Sequence, residues 1–157
     1  VDTKAGVSFS VNAPGPRYWL ASAKRPDGSF VVDSLSTDGG GIPRNFLISH
    51  GLSLVKFGAL TWNEYIQKTS INAAKILGLT QHGALTAGNE ANITVIDYEN
   101  QKAEMTVSNG KVIMYKGLLC GSGTRFVTTE RGVQHVRESG LDPFIINVED
   151  TAFYQGL

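Results

Sequence analysis

Asp38 is the residue whose surroundings point most directly to chemistry. It stands in Ser36-Thr37-Asp38-Gly39-Gly40-Gly41, just beyond the β-rich run of residues 30–35. A polar cluster with glycines at the carboxyl end of a strand is where α/β enzymes place their reacting groups. A carboxylate held there could ligate a divalent metal or take a proton from bound water. The glycines would let a substrate come close to the backbone. Asp-Gly is also an everyday turn pair, and spacing alone leaves both readings open.

Other reactive residue types carry less. His50, His82 and His135 are far apart, and no HxH, HExxH or paired-cysteine pattern joins them. His50 reads as a helix-face residue and His82 as a turn residue. A metal, if one is bound, cannot be held by this chain alone. Cys120, in Leu-Leu-Cys-Gly-Ser-Gly, has no neighbouring base in sequence and reads as a buried structural thiol. Neither glycine cluster has the Walker lysine or dinucleotide spacing that a phosphate loop needs. Asn92-Ile93-Thr94 matches a glycosylation sequon, which carries little weight without a secretory signal.

The elements that must position these groups follow from pattern. The chain has 157 residues, the length of one ordinary domain. Fourteen basic and fourteen acidic residues cancel, which argues against nucleic acid or an anionic membrane as partner. No apolar run approaches the ~20 residues of a membrane span. The opening Val-Asp-Thr-Lys-Ala-Gly is neither a signal nor a transit peptide and has no starting methionine. The expectation is a cytoplasmic chain that is processed, trimmed or split from something longer.

Alternation predicts a strand over residues 7–11, broken by the prolines of Asn12-Ala-Pro-Gly-Pro16. Residues 17–24 are ambiguous. Pro26-Asp27-Gly28-Ser29 is a turn, and residues 30–35 read as a strand. Residues 46–57 are helical, interrupted at Gly51. Thr61-Trp62-Asn63-Glu64 is a capping box that opens a helix. A second short helix is expected from Ser70, stopped at Gly78 in left-handed geometry. The period then changes: residues 93–97 and 103–107 alternate, and Asn109-Gly110 predicts a hairpin to residues 112–114. Lys116-Gly117 closes that strand. Only weak patterns follow: a strand-like run at residues 125–128, a polar stretch, then an apolar run at residues 144–146.

Three of these stretches together resemble a known family. Residues 69–79, Thr-Ser-Ile-Asn-Ala-Ala-Lys-Ile-Leu-Gly-Leu, resemble the amidohydrolase signature T-x-N-P-A-K-x-L-G-L. Residues 83–97 resemble that family's G-x-I-x-x-G-x-x-A-D-[LI]-x-[VI]-x-D, and residues 107–112 its V-x-x-G-K-x-V hairpin. Order and spacing agree across residues 69–117. Ala73 stands where the family often has proline and Asn92 where it usually has aspartate, both structural positions. Residues 118–157 have no counterpart.

The resemblance implies an α/β fold: the last strands and helices of a metal-dependent (β/α)8 barrel over residues 1–79, and strands of a small β-sandwich over residues 80–120. Residues 121–157 form a tail that packs on the barrel or on a neighbouring subunit. It places Asp38 at the end of the eighth strand, as catalytic acid/base and metal ligand. Ser36, Gly39 and Gly40 become substrate-binding positions, as in hydantoinase-type and isoaspartyl-dipeptidase-type members. The family's other ligands, an HxH, a Lys or Glu and further histidines, have no candidates here. Two barrel strands cannot close a barrel. The expectation is therefore a second polypeptide that supplies the amino-terminal strands and the His ligands, in a higher oligomer. The implied activity is hydrolysis of a C–N bond in a small cyclic amide or imide, with a divalent metal such as zinc. A deaminase or dipeptidase stays open, as does a non-catalytic β-rich binding or regulatory subunit.

Overall fold

A computed structural model of the chain describes residues 14–36, 46–121 and 125–156. They fall in two compact units, Val1–Val32 and Asp33–Leu157. The strand expected over residues 7–11 lies outside the described residues. Among the described residues no helix is long and apolar enough to cross a membrane.

In the first unit, helix α1 spans Pro14–Ser22. The prolines expected to end the strand of residues 7–11 open this helix. Both prolines fall in the first turn, where the N–H they lack would have no helical partner. The expected turn at residues 26–29 is present. Gly28 has a φ of +85° and donates its N–H to the Arg25 carbonyl at 2.9 Å. The Ser29 hydroxyl and N–H both donate to the Asp27 carboxylate, at 2.7 and 2.9 Å, and hold its pKa below the ordinary value. Lys24 and Phe30 form one isolated antiparallel bridge.

The strand predicted over residues 30–35 does not form: beyond Phe30 the backbone is irregular. An apolar run becomes a strand only when a neighbouring strand takes its N–H and C=O groups. From Asp33 onward this segment bonds to a helix instead.

In the second unit, α2 spans Leu47–Lys56. Gly51 does not interrupt it but admits a neighbour, because the Tyr65 ring lies where a side chain would be. Leu52, Leu60 and Tyr65 are at most 2% exposed and form the small apolar core beside it. Burying a leucine fully is worth about 1.5–3 kcal/mol.

Helix α3, Trp62–Ile66, begins with the predicted capping box. The Thr61 hydroxyl accepts the Glu64 N–H at 3.2 Å, and the Glu64 carboxylate accepts the Thr61 N–H at 2.8 Å. No separate helix opens at Ser70. The chain continues through one π turn, Gln67–Ile71, into α4, Asn72–Ile76. Ile66, Ile71 and Asn72 all keep right-handed helical dihedrals, so an extra residue is absorbed without a break. Gly78 ends the helix at φ +69°, as expected.

Four antiparallel strands follow in the order β1-β2-β3-β4: Ile93–Asp97, Lys102–Ser108, Lys111–Tyr115 and Leu118–Leu119. Asn109 (φ +48°) and Gly110 (φ +76°) make the tight turn between β2 and β3, the mirror-image geometry that suits twisted strands. Lys116 and Gly117 make a second such turn, with φ of +48° and +81°. The β2–β3 turn is locked from outside: Asn92 Oδ1 accepts the Asn109 N–H at 2.8 Å, and the Ala91 carbonyl accepts that of Gly110 at 3.0 Å. The β1–β2 turn docks on α2, where Lys56 Nζ donates to the Glu99 carbonyl at 3.0 Å and Gln101 Nε2 to the Ser53 hydroxyl at 3.1 Å.

The tail is more ordered than its pattern implied. Strands β5, Arg125–Thr128, and β6, Asp142–Ile145, pair in parallel. The polar stretch between them contains α5, Val133–Glu138, whose Val133 is buried. Parallel neighbours need such a crossover. The chain closes with α6, Ala152–Gln155, and Asp150 packs beside Gly78.

Candidate active site

Ser36 is the last described residue before the polar cluster, and it is exposed. Asp38, Gly39 and Gly40, the other residues assigned to catalysis, metal and substrate, lie outside the described residues. The segment that leads to them is held from one side. Asn72 Nδ2 donates to the Asp33 carbonyl at 2.6 Å. The Lys68 carbonyl accepts the Ser34 hydroxyl at 2.8 Å and the Leu35 N–H at 3.1 Å.

The π turn explains why Lys68 can do this. In a regular α-helix its carbonyl would accept the N–H of Asn72. Here the Asn72 N–H reaches back to Gln67 instead. A π turn inside an α-helix is frequent at functional sites. The Lys68 side chain is fully buried. Burial pushes its pKa down, partly offset by the carboxylates of Asp33 and Glu64.

The histidines do not converge. His50 is exposed on α2 and stacks on Phe46, with ring centroids 4.9 Å apart. His135 lies on α5. His82 belongs to a separate cluster beside a cleft of about 260 Å³ lined by Gly78, Thr80, Glu90 and Phe144. There Glu90 Oε2 is 3.4 Å from His82 Nε2 and 2.5 Å from Arg125 Nη2. The Arg125 hydrogen bond, aided by its charge and that of His82, holds the Glu90 pKa below its ordinary value. This cluster is not legible in residue spacing, because Arg125 lies 35 residues from Glu90 on a strand with no pattern linking the two.

Cys120 corrects another expectation: the thiol is exposed, and donates at 3.4 Å to the Leu118 carbonyl. The preference of cysteine for burial is statistical, whereas β4 is a short strand at the sheet's edge with both leucines exposed.

No group of three His, Cys, Asp or Glu side chains that could hold a metal ion occurs among the described residues. Structural and catalytic zinc sites take at least three protein ligands, so the described residues do not by themselves fit a zinc centre.

No curated protein matches the chain. Residues 21–122 match the amidohydrolase family, a span that takes in the held segment, the polar cluster, the π turn and the four-stranded sheet. By that match the chain belongs to the amidohydrolase family, whose members are in general metal-dependent hydrolases with a fold of TIM-barrel type.

Proposed function

We propose that the chain is the carboxyl-terminal part of a C–N bond hydrolase acting on a cyclic amide or imide such as a hydantoin, a dihydropyrimidine or a lactam. The observation that carries this reading is the family match over residues 21–122, with Ser36-Thr37-Asp38-Gly39-Gly40 inside it. Asp38 takes a proton from the attacking water and delivers it to the departing nitrogen, a general acid–base role suited to a carboxylate. Ser36, Gly39 and Gly40 contact the substrate. The cation, zinc in this reading, is held mainly by histidines of a second polypeptide that also supplies the remaining barrel strands, in a cytoplasmic higher oligomer.

Two features support such a companion. The described residues hold no donor set for a metal. Large apolar side chains also face outward, Trp19 68% exposed, Phe57 83% and Leu85 83%, area that a companion chain would cover.

The test is ring opening of hydantoin and dihydrouracil by the material as isolated, with Asp38→Asn beside it. Loss of turnover in an assembled variant supports the assignment, and retained turnover refutes it. Native mass spectrometry that finds this polypeptide folded and alone overturns the companion chain.

A further inference from the structure

We propose that Asn109 is a latent deamidation site, kept unreactive in the folded chain by the hydrogen bonds that residues 91 and 92 make to its turn. The proposal stands whichever bond the enzyme cleaves.

Asparagine is one of the chemically labile residues, and Asn109 is the one asparagine of the sequence that is followed by glycine. The reaction is internal to the pair. The Gly110 backbone nitrogen gives its proton to solvent base and attacks the Asn109 side-chain carbonyl carbon. The new N–C bond closes a five-membered imide as the Cγ–Nδ2 bond breaks, and Nδ2 takes up a proton from water and leaves as ammonia. Water then opens the ring at either carbonyl, giving aspartate or isoaspartate. In sum, one water enters and one ammonia departs. Glycine at the second position puts no side chain in the way of the attacking nitrogen. Both residues are exposed, so water and base reach them.

In the folded hairpin the attacking atom is occupied. The Gly110 N–H donates to the Ala91 carbonyl at 3.0 Å, and the neighbouring Asn109 N–H donates to Asn92 Oδ1 at 2.8 Å. The imide has no hydrogen on the Gly110 nitrogen, so closing it takes the donor away from Ala91. The turn must therefore come away from residues 91 and 92 before it can react. Those two residues are anchored in turn. The Glu90 N–H donates to the Gln81 carbonyl at 3.0 Å, and the Glu90 carboxylate pairs with Arg125. That carboxylate also accepts from Asn92 Nδ2 at 3.5 Å, which leaves the amide oxygen, an acceptor, as the end that faces the turn.

The test follows the folded chain as isolated in warm, mildly alkaline buffer, beside the same chain in urea and a synthetic peptide of residues 103–115. Peptide mapping by mass spectrometry counts the Asn109 that has become aspartate or isoaspartate. The expected rate in the folded chain is at least about tenfold below that in urea or in the peptide, since a local opening must come first. Asn92→Ala removes one of the two bonds and should raise the folded rate several-fold, whereas Asn92→Asp keeps an acceptor and should stay near the parent. Hydrogen exchange reads the same nitrogen without the chemistry: the Gly110 amide should be protected about tenfold or more in the parent and less in Asn92→Ala.

Conversion of Asn109 in the folded parent at the peptide's rate overturns the proposal. A folded Asn92→Ala that converts no faster than the parent overturns it as well, because the bond to Asn92 is then not the guard. If circular dichroism shows Asn92→Ala unfolded, the parent decides: a Gly110 amide that exchanges at the peptide's rate removes the guard, and a protected one beside slow conversion supports it.

Discussion

The Tyr65 ring occupies the space that a side chain on Gly51 would need: a β-carbon there would lie 2.3 Å from Tyr65 Cε2. The ring is 2% exposed, and its hydroxyl donates to the Leu47 carbonyl at 3.4 Å, so it has little room to yield. Burial also pushes the Tyr65 pKa up. On an open helix Gly→Ala gains about 1 kcal/mol. Here the collision reverses the sign, and Gly51→Ala should destabilise the second unit by about 1–3 kcal/mol, the usual cost of overpacking. Thermal unfolding checks this, and an unchanged or higher midpoint would falsify it.

Gly78 meets the tail in a similar way. Its φ is +69°, and a β-carbon would come within 2.6 Å of the Asp150 carbonyl oxygen. Gly78→Ala therefore combines a left-handed penalty of about 1–2 kcal/mol with a backbone collision. The expected result is early proteolytic cleavage near residues 148–156, ahead of the rest of the chain. Cleavage at the parent's rate would show that the tail is anchored elsewhere.

The Glu90–Arg125 pair predicts an acid-sensitive contribution to stability. The Glu90 carboxyl has a lowered pKa when folded, chiefly through the Arg125 hydrogen bond. The stability it lends is complete above the ordinary glutamate range and is lost as pH falls through the lowered folded value. In Glu90→Gln the stability curve should be flatter through that acidic window. Denaturant titrations at several pH values read this directly, and parallel curves for parent and variant would count against it.

Thr61→Ala removes one half of the capping box and frees the Glu64 N–H. A cost of about 1 kcal/mol is expected, with faster amide exchange at the start of α3. Exchange unchanged at Glu64 would mean that the cap carries no weight.

Local chemistry made much of this fold legible. Asn109-Gly110 fixes its hairpin because both residues take positive φ, and the Thr61–Glu64 box closes within four residues. The failures share a cause, which is dependence on distant partners. Residues 30–35 have a strand's composition, yet their backbone goes to Lys68 and Asn72. The β5–β6 pairing joins segments separated by a helix too short to show a period. Residues 17–24 read as ambiguous because nothing in their pattern shows that Pro14 and Pro16 open a helix that runs to Ser22. As for the site, the motifs pointed to the family through residues 69–117, and the family match spans that region. The π turn that lets Lys68 accept from the approaching segment has no signature in residue type. Asp38, Gly39 and Gly40 lie outside the described residues.

The lock on the β2–β3 turn has one more consequence. Where this family usually carries an acid, Asn92 supplies an amide oxygen to the Asn109 N–H. A carboxylate in that place weakens as an acceptor once it is protonated, whereas an amide has no proton to gain over the same range. The hairpin is therefore fastened by a bond indifferent to acidity, and its grip should be the same in a mildly acidic medium as at neutrality.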